Sequence, residues 1–342
     1  MSNVRRSMTL GVLAALLVIA FVISLGSGAV SIAPAQVVSI LLSRLGIETA
    51  VAFAPQQEAV LTAIRLPRAL LSIFVGAGLA VAGAAFQGAF RNPLADPVLL
   101  GIASGAVVGA VLVHAFSFTT WGVWSVPLVA FAGALLPTLA LLRFAKLQGK
   151  TDVTTLILAG VALNLFLGSV VTMITAMART PGLRDATFWT LGGLGGTLWP
   201  HVYVTAPVLL LAALYMWRLG PQLNLLLLGD ADAEHLGVDA QRLRLHVSLV
   251  ATLVTATAVA FAGNVAFIGL VVPHALRRLL GPDHRVLLPA SLLGGGALLC
   301  FADLTARTLI APAELPVGVL TTLVGGPLFF YLLGRARREG GW

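Results

Sequence analysis

Few side chains in this sequence are equipped for chemistry, and each suggests a different kind. The stretch from Phe144 to Thr151 ends in Gly149-Lys150-Thr151, the tail of a phosphate-binding loop whose backbone N–H groups and lysine would cradle a nucleotide. That loop needs glycine at its first position, where Phe144 stands, and no strand pattern precedes it. It reads as a basic connecting loop, so any ATP hydrolysis belongs to another chain. Asp230, Asp232 and Glu234 alternate in a way that invites a cation, but the spacing is not that of a calcium loop. Followed by Leu236 and Gly237, they read as acids at the start of a short helix that Gly237 closes, a shape suited to docking on a partner. Asp303 lies in an apolar run, where a carboxylate is costly and points to function such as proton coupling. Arg307, one helical turn on, offers it an ion-pair partner. Arg65 and Arg68 flank Pro67, a residue suited to a first helical turn. With Arg307 they form three cations able to meet carboxylates of an acidic protein or an anionic substrate. Cys300 is the one cysteine, which excludes disulfides and cysteine metal sites. The histidines are scattered without metal-ligand spacing, and no Ser/His/Asp set converges, so neither a catalytic site nor a resident cofactor is expected.

The elements that position these residues follow from composition. The 342 residues are 58% hydrophobic and only 10% charged, with mean hydropathy +0.99, whereas soluble domains carry about 25% charged residues. No Asp, Glu, Lys or Arg occurs in 7–43, 69–90, 97–142, 153–178, 186–217, 245–276, 286–302 or 315–334. These windows predict an all-α polytopic membrane protein, one domain over 1–342. Its ten spans are near 8–29, 62–89, 96–114, 121–145, 152–178, 200–218, 243–262, 265–280, 285–309 and 315–335. Residues 182–190 are expected as a short extra helix. The apolar run after Arg5 and Arg6 is too long for a signal peptide and reads as a retained first span. With both termini inside, fifteen Lys and Arg fall on inner segments and six on outer ones. That bias supports cytoplasmic termini and accounts for the net charge of +8 without nucleic acid. Small residues recur at Gly76, Gly78, Gly83, at Gly101, Gly105, Gly109 and at Gly294–Gly296. They suit close helix packing inside one chain or, alternatively, a dimer seam.

Taken together, several ordered motifs resemble the FecCD family of iron-siderophore, haem and vitamin B12 importer permeases. They are Arg65 to Arg68, Gly76 to Gly83, Arg91 to Pro97, Leu100 to Gly105, Phe188 to Gly192, Leu228 to Val238, Gly263 to His274, Ala302 to Arg307 and Glu314 to Gly318. The resemblance covers nearly the whole chain beyond the first span. It implies a type II ABC importer permease of ten transmembrane helices that pairs as a homodimer in the bacterial inner membrane. Two cytoplasmic ATP-binding subunits would dock below and a periplasmic substrate-binding protein above. It further implies that 224–240 is the coupling segment, with Asp230, Asp232, Glu234, Leu236 and Gly237 meeting the ATPase. Arg65, Arg68 and Arg307 match positions that present arginines to glutamates of the binding protein. The substrate would be an iron chelate; the stretch from Leu183 to Thr190 looks more like haem permeases, with ferric siderophore and cobalamin as alternatives. The competing class is an ion-coupled secondary transporter relying on Asp303.

Overall fold

The computed structural model describes residues 3–47, 49–146, 153–178 and 182–338, and among these the regular structure is entirely helical. In chain order the helices are α1 (Asn3–Gly26), α2 (Pro34–Ser43), α3 (Pro55–Ala59), α4 (Leu66–Ala89), α5 (Ile102–Ala115), α6 (Ser125–Lys146) and α7 (Val153–Met177). There follow α8 (Leu183–Thr190), α9 (Trp199–Arg218), α10 (Gly220–Leu226), α11 (Asp230–His235), α12 (Ala240–Ala262), α13 (Ile268–Leu280), α14 (His284–Thr308) and α15 (Val317–Arg338). The ten expected spans correspond one for one to α1, α4, α5, α6, α7, α9, α12, α13, α14 and α15. Among the described residues, seven helices are long and apolar enough to cross a membrane by length and composition. Helix α13, with 13 residues, reaches only about 20 Å at 1.5 Å per residue. The irregular stretch 263–267, with Gly263 at φ +66°, leads into it. The extra helix expected at 182–190 is α8. The phosphate-loop-like Gly149, Lys150 and Thr151, and Arg179, lie outside the described residues.

Three features differ from the sequence expectation. Helix α2 was hidden inside the first apolar window. The fifth helix starts at Ile102 rather than near residue 96, because Asp96 Oδ1 accepts the Val98 N–H at 2.9 Å and caps a separate tight turn, Pro97–Leu100. The second span starts earlier than residue 62, because α3 and α4 join through a π-helical turn, Val60–Arg65. Pro67 explains that turn. A proline inside a helix lacks an N–H and crowds the preceding turn, and a π turn opens that crowding. Leu66 N–H bonds Leu61 O, five residues back. The matching donor for Thr62 O would be Pro67, which has none, and the indole of Trp199 takes its place at 2.8 Å.

Helix α4 is the axis of the bundle. Its residues from Val75 to Ala89 are buried without a break, and α9, α12, α13 and α14 pack around it. The small residues make this approach possible. A Cβ on Gly76 would strike the Gly295 carbonyl of α14, and one on Gly83 the Gly269 carbonyl of α13. Gly105 of α5 meets Gly133 of α6 in the same way. These glycines therefore serve packing within the chain, not a seam between copies. Helices α1 and α7 stand at the periphery, only 17% and 11% buried over their apolar windows.

Candidate functional site

Two groups of polar side chains lie near the two ends of α4. One end holds Arg65, Arg68, Asp303, Arg307 and Glu314. The other holds Arg91, Asp230, Arg244, Gln87, Arg277 and Asp283.

At the Arg68 end, charge is buried and paired. Arg68 Nε donates to both carboxylate oxygens of Asp303 at 3.0 Å, and its Nη2 lies 2.9 Å from Oδ1. Arg68 Nη1 reaches Glu314 at 2.9 Å. Arg307 Nε stands 3.9 Å from Asp303 Oδ2, beyond hydrogen-bond range. Its Nη2 instead donates to Ser24, to Oγ at 2.8 Å and also to the carbonyl. Arg65 Nη1 donates to the carbonyls of Leu25 and Gly26 at 2.9 and 3.0 Å, and Nη2 to that of Val30. Arg65 and Arg307 thus satisfy carbonyls left open where α1 ends.

The structure amends two sequence expectations here. The expected one-turn pair of Asp303 with Arg307 is present, but the closer partner of Asp303 is Arg68, 235 residues away, which the sequence did not reveal. Nor do Arg65, Arg68 and Arg307 stand free for an acidic protein. Their side chains are at most 7% exposed, because each has an internal acceptor that a buried guanidinium requires. Of this group only Glu314, about half exposed, faces outward.

At the other end the short acidic helix forms where the sequence put it. Asp230 opens α11, and Gly237, at φ +87°, closes it. Gly237 N–H bonds Glu234 O at 3.0 Å and Val238 N–H bonds Ala233 O at 2.9 Å, the paired bonds of a Schellman cap. Ala233 is fully buried and seats the helix. Asp232, Glu234 and Leu236 are exposed, and Leu228 and Leu236 hold out 60% and 58% of their surface. Asp230 differs from the other acids. Its carboxylate is gripped by Arg244, with Nη1 to Oδ2 at 2.7 Å and Nη2 to Oδ1 at 2.6 Å, and Arg91 adds a longer contact at 3.7 Å. The hydrogen bonds from Arg244, then the positive charges of Arg244 and Arg91, hold the Asp230 carboxyl below the usual carboxylate range. Asp230 is therefore an anchor, and the outward face is Asp232, Glu234, Leu236 and Leu228.

Sequence reasoning missed the residues around this anchor. Arg244 counted only as one more basic residue on an inner segment, although its Nε also donates to Ala89 O at 2.9 Å. Gln87 Nε2 donates to Gly269 O at 3.1 Å, and Gln87 Oε1 accepts from Arg277 Nη2 at 2.9 Å. Asn224 Nδ2 donates to Asp283 Oδ1 at 2.7 Å, while its own oxygen accepts the His284 N–H at 2.8 Å. The only sequence signal was polar residues at the ends of apolar windows, which does not reveal partners.

Comparison with known proteins places this geometry. The profile described as the FecCD transport family matches residues 16–335. The cobalamin import system permease protein of Halobacterium salinarum is 44% identical over 81% of this chain and 73% of its own length. The hemin transport system permease protein of Yersinia pestis is 43% identical over 81% and 83%. The vitamin B12 import system permease protein of Escherichia coli is 41% identical over 84% and 87%. A solved inward-facing structure of an ABC transporter assigned to the metal-chelate type superposes with TM-score 0.81 at 34% identity, covering 95% of this chain and 98% of that one. The PsaBC structure from Streptococcus pneumoniae, 15% identical with TM-score 0.57 over 80% and 93%, shares the fold.

Proposed function

Because the chain belongs to the FecCD transport family, we propose that it is the membrane-spanning subunit of an ATP-driven importer of a metal chelate, with haem as the first substrate to test. The fold is that of type II ABC importer permeases, and the chain is a multi-pass membrane protein. Two copies form the working unit, with the translocation path between them. The α11 end faces the cytoplasm, as do both termini, in line with the lysine and arginine bias. There each copy seats one ATP-binding subunit. The observation that carries this reading is α11 itself: a capped short helix, anchored from within, that turns Leu228 and Leu236 outward at one end of an apolar bundle. Exposed leucines beside acids suit a protein pocket better than water.

A substrate-binding protein meets the opposite end. Arg65, Arg68 and Arg307 shape that surface from beneath, by fixing α1, α4 and α14 relative to each other. Haem and cobalamin permeases are nearly equal relatives, and both names denote metal macrocycles, which favours that substrate class over a siderophore. The ion-coupled alternative depends on a proton-accepting Asp303, and a carboxylate that accepts three contacts from Arg68 leaves little room for that role.

The test is ATP-driven uptake in proteoliposomes containing the chain with its co-expressed ATPase and binding protein. Haem, cobalamin and a ferric siderophore are offered in parallel. Uptake of one ligand that requires both partners supports the proposal. Uptake that ignores ATP and follows a proton or sodium gradient would overturn it.

A further inference from the structure

Helix α4 ends at Ala89, and a helix terminus leaves its last carbonyls without partners. Three bonds within the chain close neighbouring ones: Arg91 N–H to Gly88 O, Asn92 N–H to Gln87 O, and Phe90 N–H to Phe86 O. The Ala89 carbonyl is taken by Nε of Arg244, on α12. The same guanidinium then spreads its two remaining nitrogens over the carboxylate of Asp230, the first residue of α11. One side chain, about 7% exposed, therefore joins three elements: the axial helix, the helix beside it and the proposed ATPase-docking helix. The chain turns away from α4 through Arg91, a non-glycine residue at φ +48°, and Arg91 also reaches Asp230. Before Ala89, α4 is packed closely against the backbone of α13 at Gly83 and of α14 at Gly76.

We infer that Arg244 is a positioning residue that transmits displacement of α11 to the end of α4, and so couples the nucleotide cycle of the partner to movement of the bundle. This rests on the reading of α11 as the docking helix. A push on α11 reaches Arg244 from Asp230 along two short charge-assisted bonds, and Arg244 passes it to the Ala89 carbonyl along one. The planar fork is required, because it serves a carboxylate and a carbonyl at once in fixed directions. Lysine keeps the charge and loses that geometry. Ala233, fully buried, seats α11 against the body.

The experiment uses the assembled complex of this chain with its ATPase and binding protein in proteoliposomes, measuring ATP hydrolysed per substrate imported. The variants are Arg244→Lys and Asp230→Asn, with Arg242→Lys as control, since Arg242 is exposed and pairs only locally with Asp239. Expected is a complex that assembles and hydrolyses ATP while the ratio rises about tenfold in Arg244→Lys and Asp230→Asn, toward the lower end of couplings between sites. The control ratio stays at the parent value. An unchanged ratio overturns the inference, whether both rates persist or both fall together, and so does failure of both variants to assemble. If the parent chain captures no ATPase, or imports without ATP, the docking reading has failed instead.

Discussion

Replacing Asp303 with asparagine probes the charge network from its centre. The Asp303 side chain is 1% exposed and takes Arg68 at 3.0, 3.0 and 2.9 Å. Counting Arg65, Arg68 and Arg307 against Asp303 and Glu314, the five formal charges sum to +1; the substitution raises the sum to +2 in the same volume. Removing one partner of a buried ion pair costs about 3–5 kcal/mol. An asparagine oxygen still accepts one of the bonds, which places Asp303→Asn at the low end, about 3 kcal/mol. With an unfolding entropy of about 2.1 cal/mol/K per residue, that lowers the midpoint by about 4 °C for a chain of this length. The double variant Arg68→Met with Asp303→Leu restores the sum to +1 and is expected within about 1 kcal/mol of the parent. The assay is thermal unfolding in nanodiscs at a fixed scan rate, arranged as a double-mutant cycle. An unshifted midpoint for Asp303→Asn, or a double variant costing the sum of the two single ones, refutes the reasoning. Uptake per folded Asp303→Asn molecule should persist; its loss with stability intact would make Asp303 an ion-coupling group.

Three further outcomes are expected. Gly83→Val drives a side chain into the Gly269 carbonyl and should cost at least the about 1–3 kcal/mol of overpacking, seen as lost folded yield, whereas Gly168→Ala meets open space and should express normally; equal yields would discredit the packing account. Leu228→Asp with Leu236→Asp should weaken ATPase capture about tenfold or more, as loss of central apolar anchors does, and undiminished co-purification would remove α11 from the interface. For pH, the depressed Asp230 group contributes stability that is present above the ordinary aspartate value of about 4 and is lost as pH falls through its lowered value. Amide-exchange protection of α11 relative to α12 should therefore hold constant from about pH 8 to 5 and fail only below about 4; a loss between about 7 and 5 would contradict the Arg244 grip.

Spans were legible because lipid imposes a strong one-dimensional constraint: a long charge-free window must be helical. Helix α11 was legible too, since its acids, Leu236 and Gly237 carry start and stop signals within eight residues. Helix α2 was not, because its ten residues share a charge-free window with α1 and are too few to stand out from the non-spanning sequence that follows the first span. The π turn needed knowledge that Trp199 would supply a donor to Thr62. The arginines misled for a general reason. In a sequence a charge at the end of an apolar run looks solvent-facing, and only the fold reveals that Asp303 lies beside Arg68 or that Ala89 O lies beside Arg244.

The distance in sequence between Arg68 and Asp303 bears on how the protein is made. Ribosomes add about 5–20 residues per second, so the 235 residues between them take roughly 10–50 s to synthesise. During that interval the nascent second span must keep its arginine at the bilayer edge, where a long cationic side chain can reach water. The glycine groove of the same helix waits equally long for α14. Completion of the axis therefore waits for the ninth span, α14, the last of the helices that pack on α4. A chain truncated before residue 284 should be cleared by membrane proteases, and a long-lived fragment of that length would show that the axis forms without its carboxylate.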